Sequence, residues 1–278
     1  MMQRFTFSEN YGKTRFMGII NISSDSFYEQ SRCNSTDEVL AKAEKMTREG
    51  ADFLDLGAES SRPGSKPISE QEEIDKLIPV ISSLVKITDI PISVDTYKPI
   101  VAKEALKAGA KIINDITGLQ KTPEMADVIS MFDAGVILMH MQGSPITMQK
   151  NPSYKNVVQE VKEFLEESVK ISKAAGIFSD QIAIDPGIGF GKNQKHNLEI
   201  LNKLERFIEL GKPVLIGVSR KSFIGNILKL PPEGRLEGSL AASVIGVTKG
   251  VSIVRTHDVK ETRNAIKITE AIIKGESL

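Results

Sequence analysis

Residues 35–56 read Ser35-Thr-Asp-Glu-Val-Leu-Ala-Lys-Ala-Glu-Lys-Met-Thr-Arg-Glu-Gly50-Ala-Asp-Phe-Leu-Asp-Leu56. Ser35, followed three residues later by Glu38, fits a capping box: the hydroxyl takes a backbone N–H and the carboxylate reaches back. Val39, Leu40, Ala43 and Met46 then share one face at helical spacing, and Gly50 offers a stop. From Ala51 the pattern becomes a short, continuous apolar run to Leu56. A run that is apolar on both faces predicts a parallel strand buried on both sides. A helix feeding such a strand is one step of an alternating β/α chain.

The step recurs in both directions. Apolar, β-rich runs lie at Phe16–Asn21, Ala51–Leu56, Pro91–Asp95, Lys111–Asp115, Gly135–His140, Gln181–Asp185, Pro213–Val218 and Val251–Val254. Ser69-Glu-Gln-Glu72 opens a second capping box ahead of Ile74, Leu77, Ile78 and Ile81. Val157, Val161, Phe164 and Leu165 mark a long helix closed near Gly176. Leu201, Leu204 and Phe207 mark another closed at Gly211. Leu236, Leu240, Val244 and Ile245 mark a seventh, and 266–273 lies in the last. Eight such units predict an α/β fold, a (β/α)8 TIM barrel forming a single domain over 1–278. An open doubly wound sheet is the runner-up. The longest non-regular stretch, Met141 to Tyr154, is too polar for core.

Composition narrows the class. Thirty-six basic and 36 acidic residues balance, which argues against a nucleic-acid binder, since such proteins need excess positive charge. One cysteine, Cys33, excludes an internal disulfide framework and a cysteine-cluster zinc site. No apolar run is long enough for a membrane span, and the first residues lack the apolar core of a signal peptide. A cytoplasmic protein without a membrane partner is the expectation.

In a barrel the active site lies where the strands end. The first run ends at Asn21, the second leads into Glu59-Ser-Ser-Arg62, the third ends at Asp95, the fourth at Asn114-Asp115 and the fifth at His140. The sixth ends Asp185-Pro-Gly-Ile-Gly-Phe-Gly-Lys192, the seventh Ser219-Arg-Lys-Ser222 and the eighth Arg255-Thr-His-Asp258. Asp95, Asn114 and Asp185 combine acceptors with an amide, which suits a flat heterocycle bearing amino and lactam groups. Lys221, Arg255 and His257 suit an anion, and the last two strands are where barrels often hold phosphate. Asn21 offers a neutral oxygen for phosphate or Mg2+. Arg62 lies on a loop flanked by Pro and Gly and could reach over an anionic substrate.

Each residue also has a plainer reading. Asp95 could cap the next helix. Asp115 and Asp55 lean towards structure, because Asn114 and Gly57 hold the better rim positions. His140 is expected to be a structural hydrogen-bonder, Arg220 and Lys221 a solvated pair. The 185–192 stretch lacks the full Gly-x4-Gly-Lys-Ser/Thr pattern and is not a nucleotide P-loop.

Taken together, these residues resemble the dihydropteroate synthase family. The resemblance is carried by Met17-Gly-Ile-Ile-Asn-Ile-Ser-Ser-Asp-Ser-Phe27, Asp55-Leu-Gly-Ala-Glu-Ser-Ser-Arg-Pro-Gly64, Ser93-Val-Asp-Thr96 and Ile113-Asn-Asp-Ile116. It continues through Asp185-Pro-Gly-Ile-Gly-Phe-Gly191, Ser219-Arg-Lys221 and Arg255-Thr-His-Asp-Val259. It implies a transferase of folate biosynthesis that joins 6-hydroxymethyl-7,8-dihydropterin diphosphate to p-aminobenzoate, the step that sulfonamides inhibit. On the matching positions, it implies that Asp95, Asn114, Asp185 and Lys221 hold the pterin, with Met139 and Phe190 nearby. Arg255, His257 and Asn21 would bind the diphosphate, and Asn21 and Glu29 would contact Mg2+. Phe27, Ser61, Arg62, Pro63, Lys221 and Ser222 would border the p-aminobenzoate pocket, with Ser61 also touching the pterin substrate. A homodimer is implied as well. The first loop departs from the family: Ser23-Ser24 replaces Thr-Pro, Tyr28-Glu29-Gln30-Ser31 replaces Ser-Asp-Gly-Gly, and Ser61 replaces the commoner Thr. Two alternatives are a Schiff-base barrel lyase using Lys221 and a non-catalytic pterin-binding paralogue.

Overall fold

The computed structural model describes residues 4–7, 12–22, 35–60 and 64–275. Eight parallel strands form one sheet: β1 (Arg15–Asn21), β2 (Phe53–Gly57), β3 (Ile92–Asp95), β4 (Ile112–Asp115), β5 (Gly135–Met139), β6 (Ile182–Asp185), β7 (Leu215–Gly217) and β8 (Ile253–Thr256). Their order is β6-β5-β4-β3-β2-β1-β8-β7. The two ends of that order meet at a parallel bridge between Ile184 and Val214, where Ile184 N–H donates to the Pro213 carbonyl at 2.9 Å. The sheet is a nearly closed barrel, and the open doubly wound alternative is set aside.

Ten helices surround it among the described residues. They are α1 (Thr36–Glu49), α2 (Glu70–Leu84), α3 (Pro99–Lys107), α4 (Glu124–Met131), α5 (Val157–Ala174), α6 (Gln194–Asn202), α7 (Glu205–Ile208), α8 (Ser222–Leu228), α9 (Leu236–Thr248) and α10 (Val259–Lys274). Ser35 Oγ accepts the Glu38 N–H at 3.2 Å and Ser69 Oγ the Glu72 N–H at 3.1 Å, so both expected caps form. Gly50 ends α1 at φ 92°, a left-handed conformation that a side chain would strain.

Among the differences from the sequence reading, three bear on the C-terminal half of the barrel. The helix expected around Leu201–Phe207 breaks at Lys203–Leu204 into α6 and α7. A further short helix, α8, starts at Ser222, immediately after the motif that ends β7. The last strand runs Ile253–Thr256, so Arg255 lies inside it and pairs in register with Met17 and Gly217. Val251 and Ser252 instead form the connection into β8, donating N–H groups to the Gly246 and Val214 carbonyls.

The large apolar layer lies between strands and helices. Inside the barrel, Met17, Phe53, Ile112, Ile137, Ala183, Leu215 and Ile253 pack together with Phe7 as a floor. Side chains alternate along a strand, so residues two further on share that inward face. Those residues are Ile19, Asp55, Asn114, Met139, Asp185, Gly217 and Arg255. The interior therefore changes within one layer from an apolar floor to a set of charged and amide groups. No helix among the described residues is long and apolar enough to cross a membrane.

Candidate active site

The upper layer is built around Arg255. Its Nε lies 2.6 Å from Asp55 Oδ2 and its Nη2 lies 3.1 Å from Asp95 Oδ2. Asn114 Nδ2 donates to the same Asp55 oxygen at 3.3 Å. Strand register explains the meeting: Asp55 pairs with Ser93 and Asp95 with Asn114 across three adjacent strands. Asp55 is fully buried and orients Arg255 and Asn114. Its Oδ1, Asn114 Oδ1 and Ser93 Oγ are buried without a protein partner among the described residues. Buried acceptors are costly unless bonded, so this layer calls for a donor-bearing ligand.

Asp185 stands on the opposite wall. Its Oδ1 accepts the Gly187 N–H at 2.7 Å, which fixes the carboxylate against the turn that follows β6. Gly187 needs its φ of 68°, and a Cβ there would collide with the His140 carbonyl. Lys221, at the start of α8, donates to the Ile188 carbonyl of the same turn and sits 4.7 Å from the centre of the Phe190 ring. Phe190 and Met139 join Ile116, Met141, Met148 and Tyr97 in a small apolar cluster beside these charges. Met141 and Met148 are buried, which corrects the expectation that the stretch after β5 lies outside the core. That stretch folds onto the β6 turn: Gln149 Nε2 donates to Gly189 O at 2.8 Å and Tyr154 Oη to Gly191 O at 2.7 Å.

Burial sets the electrostatics. It pushes the Asp95 carboxyl up to about 7 despite Arg255, with Asp55 and Glu73 adding repulsion. It also raises Asp185, against the pull of Lys221 and the Gly187 N–H, and brings Lys221 down to about 8. For Arg255 burial opposes the charge, but Asp55 and Asp95 outweigh it and hold the guanidinium charged.

The rim residues divide clearly. Ser219 Oγ lies 3.0 Å from His257 Nδ1 and accepts the His257 N–H at 3.3 Å, joining the ends of β7 and β8. Arg220 is not half of a solvated pair: it grips Asp258 with two bonds of 2.9 and 2.8 Å and also donates to the Pro232 and Glu233 carbonyls. Asp115 is structural, accepting from Thr117 and Leu119. His140 is structural too, edge-on to Phe164 and 2.8 Å from Lys192 Nζ. Lys192 is buried and was not singled out by sequence; desolvation lowers it well below a free lysine. Asn21 ends β1 on the same rim, within 4.0 Å of where a Cβ on Gly57 would stand; that Cβ would also lie 3.6 Å from Asp95 Cβ. Ser222 is exposed at the first turn of α8. Phe27, Glu29, Ser61, Arg62 and Pro63 lie outside the described residues.

Comparison with known proteins agrees with this geometry. The pterin binding enzyme family matches residues 17–257. A dihydropteroate synthase of Clostridium beijerinckii is 43% identical over 263 residues, covering 94% of this chain and 95% of its own. The structure of Yersinia pestis dihydropteroate synthase with a sulfonamide drug superposes with a TM-score of 0.90 at 41% identity, covering 95% of each chain. A dihydropteroate synthase from Coxiella burnetii, in complex with pteroic acid, gives 0.87 at 43% identity, covering 96% of this chain and 95% of that one. The lyase and non-catalytic readings are not favoured by these relatives. The chain belongs to the pterin-binding enzyme family and, within it, to the dihydropteroate synthases, transferases of folate biosynthesis.

Proposed function

We propose that the upper layer of the barrel binds a dihydropterin diphosphate and joins its methylene carbon to the amine of 4-aminobenzoate. The observation that carries this reading is a set of acceptors, buried Asn114 and Asp185 with part-buried Asp95, facing one lysine, Lys221. A pterin offers amino and ring N–H donors along one edge and a lactam oxygen on another. Asp95, Asp185 and Asn114 Oδ1 accept the donors, Lys221 donates to an acceptor on the ring, and Met139 and Phe190 supply an apolar contact. Pteroic acid contains both halves already joined, so the Coxiella burnetii complex supports the same pair of substrates here.

In the reaction the bond between the methylene carbon and diphosphate oxygen breaks, and the diphosphate leaves with the electron pair. The new C–N bond forms and the amine gives up a proton. Arg255 is the cation that neutralises the leaving diphosphate, with the His257 ring as a further hydrogen-bonding group. The residues fit a magnesium ion held mainly by the substrate: an amide oxygen such as Asn21 Oδ1 is a hard donor, and Mg2+ takes few protein ligands beside phosphate and water. Asn21 and Glu29 would hold the ion, which when bound supplies further charge neutralisation on the diphosphate. Phe27, Ser61, Arg62, Pro63 and Ser222 border 4-aminobenzoate in this reading, beside Lys221, with Ser61 also reaching the pterin substrate.

The enzyme acts in the cytoplasm as a homodimer in this account. Ile245 on α9 and Ile268 and Ile272 on α10 are exposed, Ile272 by 74%, an apolar surface that a second copy would cover; light scattering reads the mass directly. The reaction itself is tested by pyrophosphate release with both substrates, with and without Mg2+. Release that requires both substrates supports the assignment, and none under either condition rejects it.

A further inference from the structure

Glu59 and Ile68 bracket the segment that carries Ser61-Arg62-Pro63, and both brackets close on one ammonium. Lys98 Nζ lies 2.5 Å from Glu59 Oε2, 2.7 Å from Glu73 Oε2 and 2.8 Å from the Ile68 carbonyl. Glu59 Oε2 also accepts the Ile68 N–H at 3.1 Å, and Glu59 Oε1 accepts the Tyr97 hydroxyl at 2.7 Å. One carboxylate and one ammonium thus tie residue 59 to residue 68 twice over. Between the ties, Ser65 Oγ donates to Ser60 Oγ at 2.8 Å and Gly64 N–H donates to the Pro145 carbonyl at 3.0 Å.

The node is buried. The Glu73, Glu59 and Lys98 side chains are 1%, 8% and 11% exposed. Two carboxylates share one ammonium there, an arrangement that apolar packing could replace if stability alone were at stake. What apolar packing would not keep is a fixed separation between residues 59 and 68. Lys98 is also only three residues beyond Asp95, so the turn that leaves β3 serves the upper layer of the barrel and this segment together.

We propose that Lys98 is a positioning residue. Its ammonium fixes both ends of the 59–68 segment, Glu59 and Ile68, to the turn after Asp95, and so governs the affinity for 4-aminobenzoate assigned above to Ser61, Arg62 and Pro63. The inference rests on the assignment of those three residues to the 4-aminobenzoate pocket. Misplacement of a substrate-positioning group by about 1 Å can cost roughly a hundredfold, so a loosened stem has a kinetic signature.

The test uses the full chain with Lys98→Met combined with Glu73→Gln, which leaves the node at its original net charge of one carboxylate. The KM for 4-aminobenzoate should rise at least about tenfold, while calorimetric affinity for 6-hydroxymethylpterin stays within about twofold. Lys98→Arg should restore most of the loss, because a guanidinium can span the same carboxylates and carbonyl. An unchanged KM, or pterin affinity falling in parallel, overturns the proposal. If the double variant does not fold, Glu59→Gln decides it: the amide oxygen can still accept the Ile68 N–H while its NH2 faces the Tyr97 hydroxyl, the ion pair with Lys98 is lost, and an unchanged KM refutes the anchor. Wild-type turnover is measured alongside. Its absence overturns the assigned reaction and this inference together, whereas normal wild-type turnover with an unchanged variant KM overturns the anchor alone.

Discussion

Arg255→Met isolates the charge balance of the site. Methionine keeps much of the apolar stem and removes the guanidinium, leaving Asp55 and Asp95 with no cation at 2.6 and 3.1 Å. Removing one partner of a buried ion pair costs about 3–5 kcal/mol. Asp95 already sits up at about 7 and can take a proton, so the loss should fall near the lower end. A loss of about 3 kcal/mol corresponds to roughly 6–12 °C in Tm for a chain of this size class. The pH dependence gives the sign. Without Arg255 the Asp95 carboxyl rises further above its unfolded value. A carboxyl raised on folding contributes stability that is present below the unfolded pKa and lost as pH rises through the folded one. The deficit of the variant should therefore be larger at about pH 8 than at about pH 5.5. Urea unfolding at both pH values measures it, and adding Asp55→Asn should recover part of the loss by removing one stranded charge. A deficit below about 1 kcal/mol at the higher pH, the size expected of an exposed pair, would refute the reasoning. So would equal deficits at both.

Three further outcomes follow from the same geometry. Asp185→Asn turns an amide donor towards pterin donors, and its lost charge-assisted bond of about 1.5–3 kcal/mol should raise the calorimetric Kd for pterin roughly 10- to 150-fold; unchanged affinity removes Asp185 from the pocket. Burial brings Lys221 down to about 8 from 10.5, so its stabilising share is present above the unfolded value and lost as pH falls through the folded one. Wild type should gain stability over Lys221→Met between those values, and parallel urea midpoints at the two ends of that window would contradict this. Glu29→Gln should lower turnover and flatten its Mg2+ dependence while leaving pterin affinity intact; wild-type kinetics across a Mg2+ titration would mean that Glu29 has no metal role.

Much of the barrel was legible because each strand is a continuous apolar run, a pattern that burial on both faces imposes locally. The rim was legible for a related reason: Asp95, Asn114 and Asp185 interrupt those runs at their ends, where the fold opens. What Asp55 holds was not legible, because its partner, Arg255, is 200 residues away and arrives only when β8 closes beside β1. An aspartate two residues before a strand end, on the same inward face as the floor residue Phe53, was the available signal. Helix α8 was missed because it is seven residues long and follows directly on residues that read as a strand ending. The Glu59–Glu73–Lys98 node left no local trace, since its three members lie on a loop, a helix and a turn that only tertiary contacts unite.

A crystal structure with bound 6-hydroxymethylpterin tests the assignment of the upper layer most directly. The ring should lie beside Met139 and Phe190, its donors bonded to Asp185, Asp95 or Asn114 Oδ1 and an acceptor within hydrogen-bond reach of Lys221. A pterin bound elsewhere, or bound inside the barrel without touching Asp185 and Asn114, would contradict the account.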